Sequence, residues 1–231
     1  MDPGLYIAAA GMVAEQVRQD QLANDLANAS TPGYKAGHAT QQSFGELLLS
    51  NTSTGQVIGG LQTGVRISKI TTDLTPAVLE QTGQPLDFGI AGTGFFAVRT
   101  AQGIRYTRDG QFGASAQGLL VDPNGDPVLS QTGATIAVAA NGSVQTSAIG
   151  VFNVSGAAKQ GDNLYTGTAA GPATGVARQG ELEQSAADPV QTMTNMIASL
   201  QAYQSGETAI QTIDATMQTS ANSVDSLGAG S

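Results

Sequence analysis

The sequence predicts an α+β fold in which N- and C-terminal helices pair as a coiled coil, with an extended arm and a small all-β domain inserted between them. Three observations predict it. An apolar stripe at 3–4 spacing runs through the N-terminal segment, an apolar repeat of seven runs through the C-terminal segment, and short β-like runs punctuated by turn residues lie between.

The first helix opens on Asp2-Pro3, an N-cap followed by a proline at the first helical position, where a missing N–H does no harm. Leu5, Ala8, Met12, Glu15, Gln19, Leu22 and Leu26 then fall on one face, apolar at both ends and polar in the middle. Asn28, Ser30, Thr31, Pro32 and Gly33 cannot continue the helix and mark its stop.

Asp188-Pro189 repeats the start signal near the other end, with Gln191 at the capping-box position. Met196, Tyr203, Ile210, Met217 and Val224 recur at a strict interval of seven, and Met193, Leu200, Ile213 and Leu227 are read onto the same side. Gly206 is a weak point in this helix, costing roughly 1 kcal/mol relative to Ala. A helix from Pro189 to Leu227 would span roughly 58 Å, more than the ~45 Å expected across a compact globule of this chain length. Its seam therefore needs partners. Leu5, Met12, Leu22 and Leu26 are expected to pack with Met196, Tyr203, Ile210, Met217 and Val224, and the pair to pack against other subunits.

Between the helices, GFFAVR, GIRYTR, GLLV, PVLS, TIAVAA and GVFNV read as strands, with turns at Asp109-Gly110, Asn124-Gly125 and Asn141-Gly142. The resulting division is 1–34 for the N-terminal helix, 35–85 for an extended arm with short strands, 86–180 for the all-β outer domain and 181–231 for the C-terminal helix.

Composition removes most catalytic options. The 231 residues include no Cys and one His, and 9 basic residues against 18 acidic ones give a net charge of -9. Disulfides, thiolate metal sites and cysteine nucleophiles are therefore excluded, and the acidic balance argues against nucleic acid. Gly92-Thr93-Gly94-Phe95-Phe96-Ala97 imitates a dinucleotide fingerprint, but the glycines precede a strand rather than the helix that pyrophosphate binding requires. Asp122, Asn124 and Asp126 imitate the opening of a calcium loop, yet Gly133 stands where the bidentate Glu belongs, so a tight turn is expected. His38 lacks a nucleophile or paired carboxylates and reads as surface. No catalytic, cofactor or metal site is expected. No apolar run reaches the ~18 residues of a membrane span, and the acidic opening MDPGLYIAAAGMVAEQVRQD is not that of a secretory signal peptide.

The segment NDLANASTPGYK, Asn24 to Lys35, closely resembles the signature that ends the first helix in bacterial flagellar rod and hook proteins. QTGQPLDFGIAGTGFFAV (Gln81 to Val98), YTRDGQF (Tyr106 to Phe112) and GLLV (Gly118 to Val121) resemble the family's central β segment, and Gly180 to Gln218 is similar to its C-terminal part. The blocks keep the family's order and cover most of the chain. At Leu200-Gln201-Ala202-Tyr203-Gln204 the family usually carries Gln-Arg-Ala-Tyr-Glu, so salt bridges from that Arg and Glu are not carried over.

The resemblance implies a structural subunit of the basal-body rod, without enzymatic activity, whose terminal helices line the wall of a helical tube while the β domain sits further out. It implies partnership with other copies and with other rod and hook subunits, export by the flagellum's own type III apparatus, and ends that fold on joining the assembly. In this reading the turn formed by Asn28, Thr31, Pro32, Gly33 and Tyr34 sets the angle at which the outer parts leave the inner helices. Two alternatives stay open at this point: a hook subunit, and a β binding module on a coiled-coil stalk.

Overall fold

The computed structural model describes residues 3–43, 46–50, 57–62, 64–139, 142–161 and 163–228, with the side chains of 3, 46–50, 57–62 and 223–228 outside the description. The Asp2 cap and the Asn141 turn residue fall outside the described residues. The fold is α+β, with one helix near each end and small sheets between. It divides into two units, one formed by 1–24, 37–71 and 189–231, the other by 25–36 and 72–188. No described helix is long and apolar enough to cross a membrane.

In the first unit, α1 (Pro3–Ala27, whose last three residues belong to the second unit) is followed by β1 (Gly37–Ser43), β2 (Glu46–Ser50), β3 (Val57–Gln62) and β4 (Val65–Thr72, whose last residue belongs to the second unit). β1 pairs with β4, and β2 pairs antiparallel with β3. α2 (Pro189–Gly228) has 40 residues, or about 60 Å at the α-helical rise, against 25 residues in α1.

The two helices touch through small and polar residues. Ser199 Oγ donates to Glu15 Oε2 at 2.6 Å and lies 3.3 Å from the Glu15 carbonyl. A Cβ at Gly206 would sit 2.8 Å from Met12 Cγ and 3.9 Å from the Ala8 carbonyl, so this glycine admits α1 at close range rather than merely weakening α2. Advancing along α2 from Ser199 to Gly206 retreats along α1 from Glu15 to Ala8, so the helices run antiparallel. That register brings Pro3 level with Gln211, and α2 continues past it to Gly228.

Of the neighbouring positions read onto the same side of α2, Ile213 is half-buried, the Leu227 side chain lies outside the described residues, and Met193 and Leu200 differ from the expectation. Met193 and Leu200 are 52% and 46% exposed, whereas Thr192 and Ser199 are buried. A seven-residue repeat has two inward positions per turn pair, and here the second is filled by small residues: Thr192, Ser199 and Gly206. Ser199 and Gly206 are the positions at which α2 meets α1, while the larger Met193 and Leu200 face away from that contact.

The second unit contains β5 (Leu79–Gln81), β6 (Phe88–Ala91), β7 (Phe95–Thr100), β8 (Gly103–Thr107), β9 (Gly113–Ala114), β10 (Leu120–Val121), β11 (Val151–Lys159), β12 (Leu164–Pro172), β13 (Val176–Gln179) and β14 (Glu181–Glu183). β11, β12, β8 and β7 close into a four-stranded antiparallel barrel, with Phe96 opposite Thr107 and Val151, and Tyr165 opposite Tyr106. β6 pairs with β13, β5 with β14 and β9 with β10.

β7 is buried on both faces because its alternate side chains feed two cores. Phe96 and Val98 join Phe88, Phe112, Leu120 and Ile136, with Phe96 edge-on to Phe112 at 5.1 Å between ring centroids. Phe95 and Ala97 join Tyr106, Leu129 and Tyr165. The expected strands PVLS and TIAVAA form only isolated bridges, among them Val98 with Val128 and Leu129 with Thr135. Pro127 has no N–H to give a ladder, and turns at both ends leave too little straight chain for a strand. Within the acidic turn, Asp122 Oδ1 accepts the N–H groups of Asn124 and Asp126 at 3.0 and 2.8 Å, which is turn chemistry.

Candidate assembly surfaces and the buried charge lock

Among the expected interface residues, Leu5, Met12 and Leu22 on α1 and Met196, Tyr203 and Ile210 on α2 are half-buried, and Leu26 is half-buried in the second unit. Met217 is 43% exposed. Val224 lies in α2, but its side chain falls outside the described residues. The close approaches are those of Met12 to Gly206 and Glu15 to Ser199, and the Nε2 of Gln19 is buried without a hydrogen-bond partner. The polar middle of the α1 stripe is thus where small α2 residues meet it.

Much of α2 outside that seam is polar and uncharged, with Glu207, Asp214 and Asp225 its charged residues. Thr194, Thr208, Thr212, Thr216 and Thr219 each return their hydroxyl to the carbonyl four residues earlier, at 2.8–3.0 Å. Hydroxyls satisfied within the helix ask nothing of water, so another helix can cover them at low desolvation cost.

The turn after α1 is held in the second unit. Thr31 N–H reaches the Asn28 carbonyl at 3.0 Å, Thr31 Oγ1 donates to Asn28 Oδ1 at 3.3 Å, and Tyr34 N–H lies 3.3 Å from the Thr31 carbonyl. Asn163 Nδ2, at the β11–β12 turn, donates to the Pro32 carbonyl at 3.2 Å. Gly33 has φ +66°, donates its N–H to the Glu183 carbonyl at 2.7 Å, and presses on the Arg108 backbone. Tyr34 is buried, donates to Asp25 Oδ1 at 2.8 Å, and carries the Lys159 ammonium 3.6 Å over its ring. Burial, reinforced by Asp25, pushes the Tyr34 phenol well above its ordinary pKa. The five turn residues are therefore a fastening point as much as a bend.

Beneath the turn lies a buried charge cluster that sequence reasoning missed. Glu183 is fully buried between Lys35 and Arg108, with Lys35 Nζ 2.5 Å from Oε1 and Arg108 Nη1 2.8 Å from Oε2. Each charge has further partners. Lys35 donates to the Thr75 carbonyl, Arg108 Nη2 to the Gly92 carbonyl at 3.0 Å, and Ala77 N–H to Glu183 Oε1 at 2.7 Å. The guanidinium carbon of Arg108 also stands 5.4 Å over the Phe95 ring. Burial pulls the Lys35 pKa below its ordinary value, against the opposing pull of Glu183. Two cations and one anion leave one positive charge in excess, spread over carbonyls and an aromatic face. The sequence did offer a signal: with only 12% of residues charged, Lys35, Arg108 and Glu183 each fall within a segment that carries the family resemblance.

Next to Arg108, burial raises the Asp109 carboxyl from the ordinary 3.8 to about 6, the Gln111 N–H opposes this, and Asp122 and Asp87 add to it. The folded state therefore holds this proton more tightly than the unfolded chain, so stability falls as pH rises from about 4 to 6 and the cost persists above that. Asp109→Asn keeps an oxygen for Gln111 and removes the cost. It is expected to raise stability by about 2 kcal/mol at pH 7.5 and to leave it unchanged near pH 4, as read by urea unfolding at both values.

Three family models match the chain in order. Residues 5–35 match the "Flagella basal body rod protein" model, 89–154 the "Flagellar hook protein FlgE/F/G D1 domain", and 178–224 the "Flagellar basal body rod FlgEFG protein C-terminal". Lys35, Arg108 and Glu183 fall one in each. The chain is 32% identical to the flagellar basal-body rod protein FlgF of Caulobacter vibrioides, over 99% of both chains. It is 30% identical to FlgG of Bacillus subtilis, over 93% of this chain and 96% of that one, and 29% identical to FlgG of Buchnera aphidicola subsp. Acyrthosiphon pisum, over 94% and 98%. With three matching models that meet at one buried cluster and a relative aligned from end to end, this chain belongs to the flagellar basal-body rod family, as a structural subunit of the rod.

Proposed function

We propose that the chain polymerises through its terminal helices into a helical tube that transmits torque. In this reading α1 and α2 pair as an antiparallel coiled coil in an inner domain (1–34 and 181–231), an extended arm (35–85) leads outward, and a small all-β outer domain (86–180) is inserted between the helices. Other copies and other rod and hook subunits complete the helix faces, and the flagellar export apparatus delivers the chain.

The observation that carries this is the overhang of α2. Past the level of Pro3, the helix continues from Gln211 to Gly228 with Met217 exposed and no α1 alongside. The burial that α1 gives the first half of α2 does not extend to this part, and ordering each residue costs ~1–2 kcal/mol. Neighbouring helices supply the missing burial, at roughly 1.5–3 kcal/mol for each fully buried Leu, Met or Ile. The row of internally satisfied threonines suits the same close lateral packing.

The test is Ile210→Asp, which places a charge on the half-buried side of α2. The variant should be absent from isolated basal bodies and leave cells non-motile, while melting of the β-rich unit is unchanged. Normal rods containing Asp at this position would sink the assignment of the seam.

A further inference from the structure

Two apolar surfaces of the first unit lie beside, not in, the α1–α2 contact. Val13 follows Met12, and Ile197 follows Met196, each about 100° further round its helix. On α1, Tyr6, Val13 and Val17 line a groove of about 470 Å³ with Val65 and Ile67 of β4, over a floor of alanines. On α2, Val190, Met193, Ile197 and Leu200 form a stripe at 3–4 spacing, 46% to 73% exposed. Both run for about 15 Å, from Tyr6 to Val17 and from Val190 to Leu200. Contiguous apolar surface of this kind marks an interaction site on a soluble chain.

We propose that the α2 stripe of one copy docks in the α1–β4 groove of the next. This rests on the polymerisation reading above and gives it a specific pair of surfaces. Charge supports the match. α2 carries Glu207, Asp214 and Asp225 and no basic residue, while Arg66 lines the groove and Lys69 follows on β4. Glu207 continues the stripe seven residues beyond Leu200, so it arrives on the same line as the apolar anchors. The small floor of the groove, Ala9, Ala10 and Ala14, lets an incoming helix approach closely. Because groove and stripe are different surfaces of one molecule, the contact is head-to-tail. It leaves a free groove and a free stripe after every addition, as an open helical assembly requires.

The chain has no Cys, which makes a cross-linking test clean. Val13→Cys and Ile197→Cys, on differently tagged copies, are co-expressed in the source bacterium deleted for its own copy, and isolated basal bodies are treated with a short bismaleimide. The expected result is a mixed Val13→Cys/Ile197→Cys dimer as the dominant product, missing when either variant is expressed alone. Basal bodies that contain both variants but give no mixed dimer, or only like-with-like dimers, overturn the docking proposal and leave the rod reading intact. Absence of the unsubstituted chain from basal bodies would overturn both. Should either variant fail to enter the rod, Val17→Cys with Met193→Cys repeats the measurement on the same two surfaces.

Discussion

Glu183→Gln is expected to destabilise the β-rich unit by at least about 3 kcal/mol, because it keeps the shape of the site and removes the carboxylate that both cations contact. Lys35 and Arg108 would then face each other across a neutral amide, both side chains buried from solvent. For a unit of this size the loss corresponds to a fall in melting temperature of roughly 10 °C, read by calorimetry on the full chain. Lys35→Met is the informative companion. It leaves the Arg108–Glu183 pair intact and removes the cation whose charge burial opposes, so it should cost clearly less than Glu183→Gln. Equal losses for the two would mean that the cluster acts through packing alone.

Gly33→Ala should be comparably severe, for a different reason. At φ +66° any side chain is strained, by about 1 kcal/mol. The added Cβ would also overlap the Arg108 carbonyl and come within 2.6 Å of the Asp109 nitrogen, neither of which is a flexible side-chain end. The turn must lift off the β unit, breaking the Gly33–Glu183 backbone bond and loosening the cover of the charge cluster. Gly83→Ala separates the two contributions, since Gly83 has φ +71° and open space around it. Unfolding titrations should give about 1 kcal/mol at Gly83 and at least 3 kcal/mol at Gly33. Matching values would mean that the approach of the turn to Arg108 carries no stability.

What the sequence revealed and what it hid follow from the range of each interaction. α2 was legible because Asp188-Pro189 and the repeat from Met196 to Met217 are local signals. β7 was legible because Phe95 to Val98 are large and contiguous. β12, by contrast, is built from Leu164-Tyr165 followed by Thr, Gly and Ala, and its strand state comes from pairing with β11 and β8 rather than from its own pattern. The same blindness to small residues hid Thr192, Ser199 and Gly206, whose role is the distance they permit between helices. The turn after α1 was legible as a stop, since Pro32 and Gly33 announce it, but its fastening was not. Lys35 and Glu183 are separated by 148 positions, and no window along the chain contains both.

That separation also governs timing. The cluster draws one residue from near the beginning of the chain, one from the middle and one from just before α2, so it can close only once the chain is present as far as Glu183. Until Glu183 arrives, Lys35 and Arg108 have no carboxylate to offset the cost of burying them together. Contacts spanning this much chain form late and slowly. The trio is therefore a clasp that only the last strand before α2 can shut.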